Sequence, residues 1–225
     1  LVAAIGLAVT FGATEAQAQI KLLEEDFEGV ALAPPIEEET ETFSGTPDVV
    51  SRTGPAGWTV DNSGTPGLTP EPTDPETDGV IDFGGWTYVN RLWWEQIEQE
   101  RDDFTRGTGT ILVADSDEWD DDPPAVDSAA LLPGTSSDAT FTTVLSLPTI
   151  TTLPFGLIPE NGIKLAFDSS WRDEFDGPDG KGNQTAVITA SYDGGEPFEV
   201  LRWVSDPEDA NFKDDATNER VFIDL

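Results

Sequence analysis

The chain has 225 residues, 45 acidic against 11 basic, and a formal net charge of −34 at pH 7. Such a surface repels nucleic-acid phosphates and anionic membranes, so nucleic acid and membrane insertion are both set aside as partners. Cys and His are both absent, which excludes disulfides, Ser-His-Asp and Cys-His nucleophiles, and zinc sites built on those ligands within this segment.

The opening residues LVAAIGLAVTFGATEAQAQ hold an apolar run, Leu1 to Phe11, followed by Ala16-Gln17-Ala18. This pattern predicts the apolar region and cleavage site of a secretory signal over residues 1–18, with its basic start missing. The run is too short for a membrane-spanning helix. The chain contains no Met and stops at VFIDL, in the middle of an apparent strand. It is therefore expected to be a piece of a longer exported bacterial protein, with residues 19–225 forming one module truncated at its carboxyl end. Without disulfides, an exported module must hold together by core packing or bound metal.

In chain order, Ile20 to Phe27 reads as a first strand, followed by a polar, Pro-rich connection as far as Pro55. AGWTVDNSG reads as a second short strand ending in turn chemistry, and residues 64–79 hold too many prolines for regular structure. GGWTYVN alternates as a strand would, and RLWWEQIEQERDDF places Trp93 and Ile97 four apart, as on a short surface helix. Thr110 to Ala114 reads as a strand running into an acidic loop. ATFTTVLSLPTI and GIKLAFDSSW read as two more strands, joined through an Asn161-Gly162 turn. QTAVITASYDGGEPFEVLRWVSD is the clearest hairpin, with Asp193-Gly194 at its tip. Many short strands and one modest helix predict an all-β fold, an antiparallel jelly-roll β-sandwich with long acidic loops.

DPETDGVID is the most specific chemical signal. With Asp74 as the first position of a calcium loop, acids fall at positions 1, 3 and 5, glycine at 6 and Asp82 at 9. Calcium takes roughly six to eight oxygens at about 2.3–2.6 Å, so Asp74, Glu76, Asp78 and Asp82 supply alternate carboxylates and Val80 a carbonyl. Glu76 is longer than the usual ligand, and position 12 is Gly85 rather than a bidentate Glu. A remote carboxylate must then complete the shell; the alternative is a solvated acidic loop. Asp115 and Asp117 open a second acidic run without a turn glycine. Asp173, Asp176 and Asp179 form a third group in a glycine-rich stretch suited to a flexible loop.

Glu174-Phe175-Asp176-Gly177-Pro178-Asp179 resembles the alternating carboxylate motif of laminarinase-like glycoside hydrolases, but Gly-Pro breaks the strand that motif requires. Seven tryptophans are present. Trp58, Trp171 and Trp203 sit within strand patterns and read as core. Trp93 and Trp94 are adjacent and are not expected both to face inward, so one of them, or Trp119 on its acidic loop, is the candidate for stacking on a sugar ring.

The succession LLEEDFEG, GPAGWTVDNSG, GWTYVN, GTGTILVADSDEWDD, FTTVLSLPTI and IKLAFDSSW resembles the jelly-roll modules of the cleaved-adhesin and MAM-like group. More narrowly, it is similar to modules that precede calcineurin-like metallophosphoesterase domains in secreted bacterial proteins. That resemblance implies a non-catalytic, calcium-stabilised accessory or recognition module. It also implies a phosphoesterase domain covalently attached downstream, with Asp26 and Glu28 as structural calcium ligands; from the tryptophans, a glycan or cell-surface ligand is the expected partner. The alternative function is a carbohydrate-binding module, or a carbohydrate-active enzyme working through Asp and Glu pairs.

Overall fold

The computed structural model describes residues 21–36, 48–65, 80–96, 103–116, 119, 141–150, 162–173 and 183–225. The expected signal at residues 1–18, the end of the expected helix at Ile97, the proline-rich loop from residue 66 and the hydrolase-like stretch 174–179 lie outside them. Among the described residues no helix is long and apolar enough to cross a membrane.

The fold is all-β and antiparallel. Nine strands are described: β1 Val50–Ser51, β2 Thr59–Gly64, β3 Thr87–Asn90, β4 Thr110–Val113, β5 Thr142–Ser146, β6 Lys164–Trp171, β7 Thr185–Ala190, β8 Phe198–Val204 and β9 Ala216–Asp224. They pair as a three-stranded sheet, β1-β3-β4, and three two-stranded ladders, β2-β5, β6-β9 and β7-β8. One helical turn, α1 Arg91–Trp94, follows β3 directly, and a 3-10 turn spans Ile81–Phe83.

Strand β3 is central. Val89 pairs with Val50 on one side and with Ile111 on the other. Thr87, Tyr88 and Val89 are all buried, because both faces of this strand are covered and alternation of polar and apolar residues has no role there. On one face Tyr88 meets Phe27 edge-on, with ring centroids 5.4 Å apart. On the other, Val89 packs with Val49, Phe83, Trp93, Phe104, Ile111 and Trp119 in one cluster.

Helix α1 is a single turn with a defined start. Asn90 caps it through Oδ1, which accepts from the Trp93 backbone N–H at 3.1 Å. Both Trp93 and Trp94 are nevertheless buried, contrary to the expectation that they could not both face inward. A single turn set between a sheet and its loops can be covered from two directions. Trp93 stacks on Phe83 with centroids 6.1 Å apart and planes 12° apart, while the Trp94 indole N–H donates to Asp115 Oδ2 at 2.9 Å.

The carboxy-terminal ladders follow the period-two pattern. In β6-β9, Leu165 faces Ile223 and Phe167 faces Val221, while Ala166 with Phe222 and Asp168 with Arg220 occupy the other face. Phe167 and Trp171 meet Trp203 of β8 at centroid distances of 6.4 and 5.7 Å. The β7-β8 hairpin closes at Ala190 opposite Phe198, so its connection, residues 191–197, is longer than the expected two-residue turn; within it Asp193 at φ 51° and Gly194 at φ 71° are both left-handed, and the Gly195 N–H donates to the Tyr192 carbonyl at 2.8 Å.

Two expectations fail. Residues 21–30 form no strand. Glu25 Oε1 accepts from the Phe27 N–H at 2.9 Å and Asp26 Oδ1 from the Glu28 N–H at 3.1 Å, so acidic side chains take the backbone donors a ladder would need. Phe27 itself sits at φ 62°, held there by packing of its ring on Trp58 and Tyr88. Conversely, the expected connection up to Pro55 contains β1, whose two residues are too few to show a period.

Candidate functional site

One backbone hydrogen bond joins a residue from each of two acid-rich stretches of the sequence. The Val80 N–H donates to the Trp119 carbonyl at 2.8 Å, joining the last residue of the DPETDGV stretch to the middle of the ADSDEWDDD stretch. Of the predicted calcium ligands, Asp74, Glu76, Asp78 and Asp117 lie outside the described residues. Val80, Asp82 and Asp115 lie within them.

Val80 starts the 3-10 turn, and its carbonyl accepts from the Phe83 N–H at 3.0 Å. Asp82 is 1 % exposed. Its Oδ2 accepts from the Ile36 N–H at 2.8 Å, and its carbonyl oxygen accepts from the Thr87 hydroxyl at 2.8 Å. The carboxylate predicted for the ninth ligand position therefore braces the 3-10 turn against the backbone at residue 36. A buried carboxylate requires such donors, since desolvating it without them costs several kcal/mol, on the order of those for unpaired buried charges.

Asp115 works in a similar way on the other loop. Its Oδ2 receives the Trp94 indole N–H, and its carbonyl accepts from the Trp119 N–H at 3.3 Å. The Trp119 ring lies against Phe141 at 5.7 Å and is buried. Trp93, Trp94 and Trp119, proposed from sequence as sugar-stacking residues, all belong to the buried cluster, and their large apolar rings are used in packing. The indole nitrogens of Trp93 and Trp119 and the Tyr88 hydroxyl are buried without a hydrogen-bond partner among the described residues. Burial, with the charge of Glu25 adding to it, pushes the Tyr88 phenol above its ordinary value.

Asp26 and Glu28 sit on an exposed turn rather than on the first strand. Glu28 Oε1 accepts from the Thr108 hydroxyl at 2.9 Å, which ties the amino-terminal turn to the segment before β4. Among the described residues no three acidic side chains converge in a metal-binding set.

Two arrangements were not anticipated. Asn62 Oδ1 accepts from the Thr143 hydroxyl at 2.6 Å, and Thr143 Oγ1 in turn accepts from the Trp86 N–H at 3.0 Å, so a polar relay joins the β2-β5 ladder to the start of β3. Asp173 lies beside Asp215, whose Oδ1 accepts from the Asp173 N–H at 2.9 Å. Burial first, and Asp215 second, raise the Asp173 carboxyl above the ordinary aspartate value. Nothing in the sequence marks this pair, because its members are separated by the β7-β8 hairpin.

Compared with known protein families, curated proteins and solved structures, the chain matches none.

Proposed function

We propose that the chain is a non-catalytic, calcium-stabilised accessory module of a larger secreted bacterial protein, arranged as a jelly-roll sandwich. The observation that carries this reading is the Val80–Trp119 hydrogen bond. It ties Val80, which follows the Asp74–Asp78 run in sequence, to Trp119, which belongs to the acidic run opening at Asp115, and so supports a cation shared by the two runs. On this reading a carboxylate of the second run is the remote ligand that the departure at position 12 requires. A cation held there ties two loops that no disulfide can tie, and its binding energy adds to folding energy. The resemblance to modules preceding metallophosphoesterase domains supports a downstream enzyme, to which any hydrolysis belongs.

The test is thermal unfolding of residues 19–225 with chelator and then with millimolar calcium, at one fixed high ionic strength that removes general screening. The expected result is a calcium-specific rise in Tm that the Asp78→Ala protein lacks. Saturation at about 100 times Kd corresponds to about 2.7 kcal/mol. A wild-type Tm indifferent to calcium overturns the reading, and a rise that persists in Asp78→Ala moves the site away from the DPETDGVID loop.

A further inference from the structure

We infer that Asn218 and Asp168 form a polar latch holding the carboxy-terminal ladders on the core, and that this latch opens before the core does. Asn218 lies on β9, exposed to solvent. Its Oδ1 accepts from the Thr105 hydroxyl and from the Arg106 backbone N–H, each at 3.1 Å. Its backbone carbonyl accepts from Arg106 Nε at 3.1 Å, and its Nδ2 donates to the Asp103 carbonyl. One amide side chain thus presents both an acceptor and a donor to the same short turn, which neither Asp nor Ala can do.

Arg106 extends the latch. Its Nη1 reaches Asp168 Oδ1 at 3.4 Å, and the same carboxylate is gripped by Arg220, Nε to Oδ1 at 2.9 Å and Nη2 to Oδ2 at 2.5 Å. In a chain with 11 basic and 45 acidic residues, two arginines gather on one aspartate. They come from different regions, Arg106 from the turn before β4 and Arg220 from β9.

The turn is firmly attached on its other side. Phe104 is buried in the main cluster, its N–H donates to Glu95 Oε1 at 2.7 Å, and Gly109 accepts from the Arg91 N–H at 2.8 Å. Among the described residues no strand of β1 to β5 makes an extended contact with a strand of β6 to β9. Among the described residues the polar contacts from the 103–106 turn to β6 and β9 are solvent-exposed hydrogen bonds and an exposed ion pair, which contribute less than burial of a large aromatic side chain. Regions of that kind open locally at lower free energy than the packed core.

Hydrogen–deuterium exchange on the whole chain, in chelator, tests this independently of any metal site. Asn218→Ala is expected to speed exchange in residues 103–109 and 216–224 by about tenfold, equivalent to about 1.4 kcal/mol, with residues 87–94 unchanged. Arg106→Ala is expected to act alike, and the double variant to add little to either single change. Unchanged exchange at 103–109 and 216–224 overturns the latch. So does equal acceleration at 87–94, which reports general destabilisation, and so does full additivity of the two substitutions.

Discussion

The region around β3 and the region from β6 to β9 solve the same problem differently. Around β3, Tyr88, Val89, Phe83 and Trp93 are each fully buried, and the sheet is covered on both faces. In the carboxy-terminal ladders the large side chains Phe167, Trp171 and Trp203 are only half-buried, and Phe222 is 70 % exposed. Stability in the first region comes from aromatic burial, and in the second from cross-strand pairs and ionic contacts such as Asp168 with Arg220. The difference teaches that one chain can hold a rigid core and a looser periphery without any break in its strand-forming pattern.

Substitution of the core tryptophan separates the two regions most strongly. Trp93→Ala removes a fully buried ring and is expected to cost about 3–5 kcal/mol in urea unfolding, whereas Phe222→Ser, on the open face of β9, should shift stability by less than about 0.5 kcal/mol. Similar losses for both would erase the distinction.

A smaller effect is expected at Gly54. A β-carbon there would lie 2.6 Å from Tyr88 Cζ, and the ring has no room to retreat because it is packed under Phe27. Gly54→Ala should therefore cost about 1–3 kcal/mol, read by the same unfolding experiment. A neutral outcome would show that the Tyr88 face is looser than the Val89 face.

The smallest effects concern pH and belong to the ladders. Hydrogen bonding to Arg220 holds the Asp168 carboxyl below the ordinary aspartate value of 3.8. Its contribution is complete above that value and is lost as pH falls through the lower folded one. Asp173 has the opposite sign. Its folded value is raised, so its ionisation penalises folding above that value and the penalty is relieved as pH falls through it. Stability measured from neutral to acid pH should fall off less steeply in Asp168→Asn than in wild type. Asp173→Asn should gain stability at neutral pH and lose that relief. Identical acid limbs in Asp168→Asn and wild type would remove Asp168 from the latch.

Wherever one face of a strand is covered and the other open, its alternation was readable, as in β6 and β7. The left-handed turn at Asp193-Gly194 was readable because such residues carry their own local signature, but the length of the connection around it, residues 191–197, was not. The first expected strand failed because Glu25 and Asp26 divert the backbone donors, a competition decided over two or three residues that an apolar pattern does not report. The candidate metal loop was legible as a spacing of acids, yet the spacing could not say that Asp82 would turn to Ile36 or that Val80 would bond to Trp119.

Charge, lack of cysteine and histidine, and period-two patterning determined from sequence alone that this is an acidic, disulfide-free, all-β chain. Only the tertiary structure decided that Trp93, Trp94 and Trp119 are core, that Val80 bonds to Trp119, and that Asn218 reads the turn at 103–106. The reason is physical: composition and period act locally along the chain, whereas burial and long-range hydrogen bonds depend on which distant segments fold against one another.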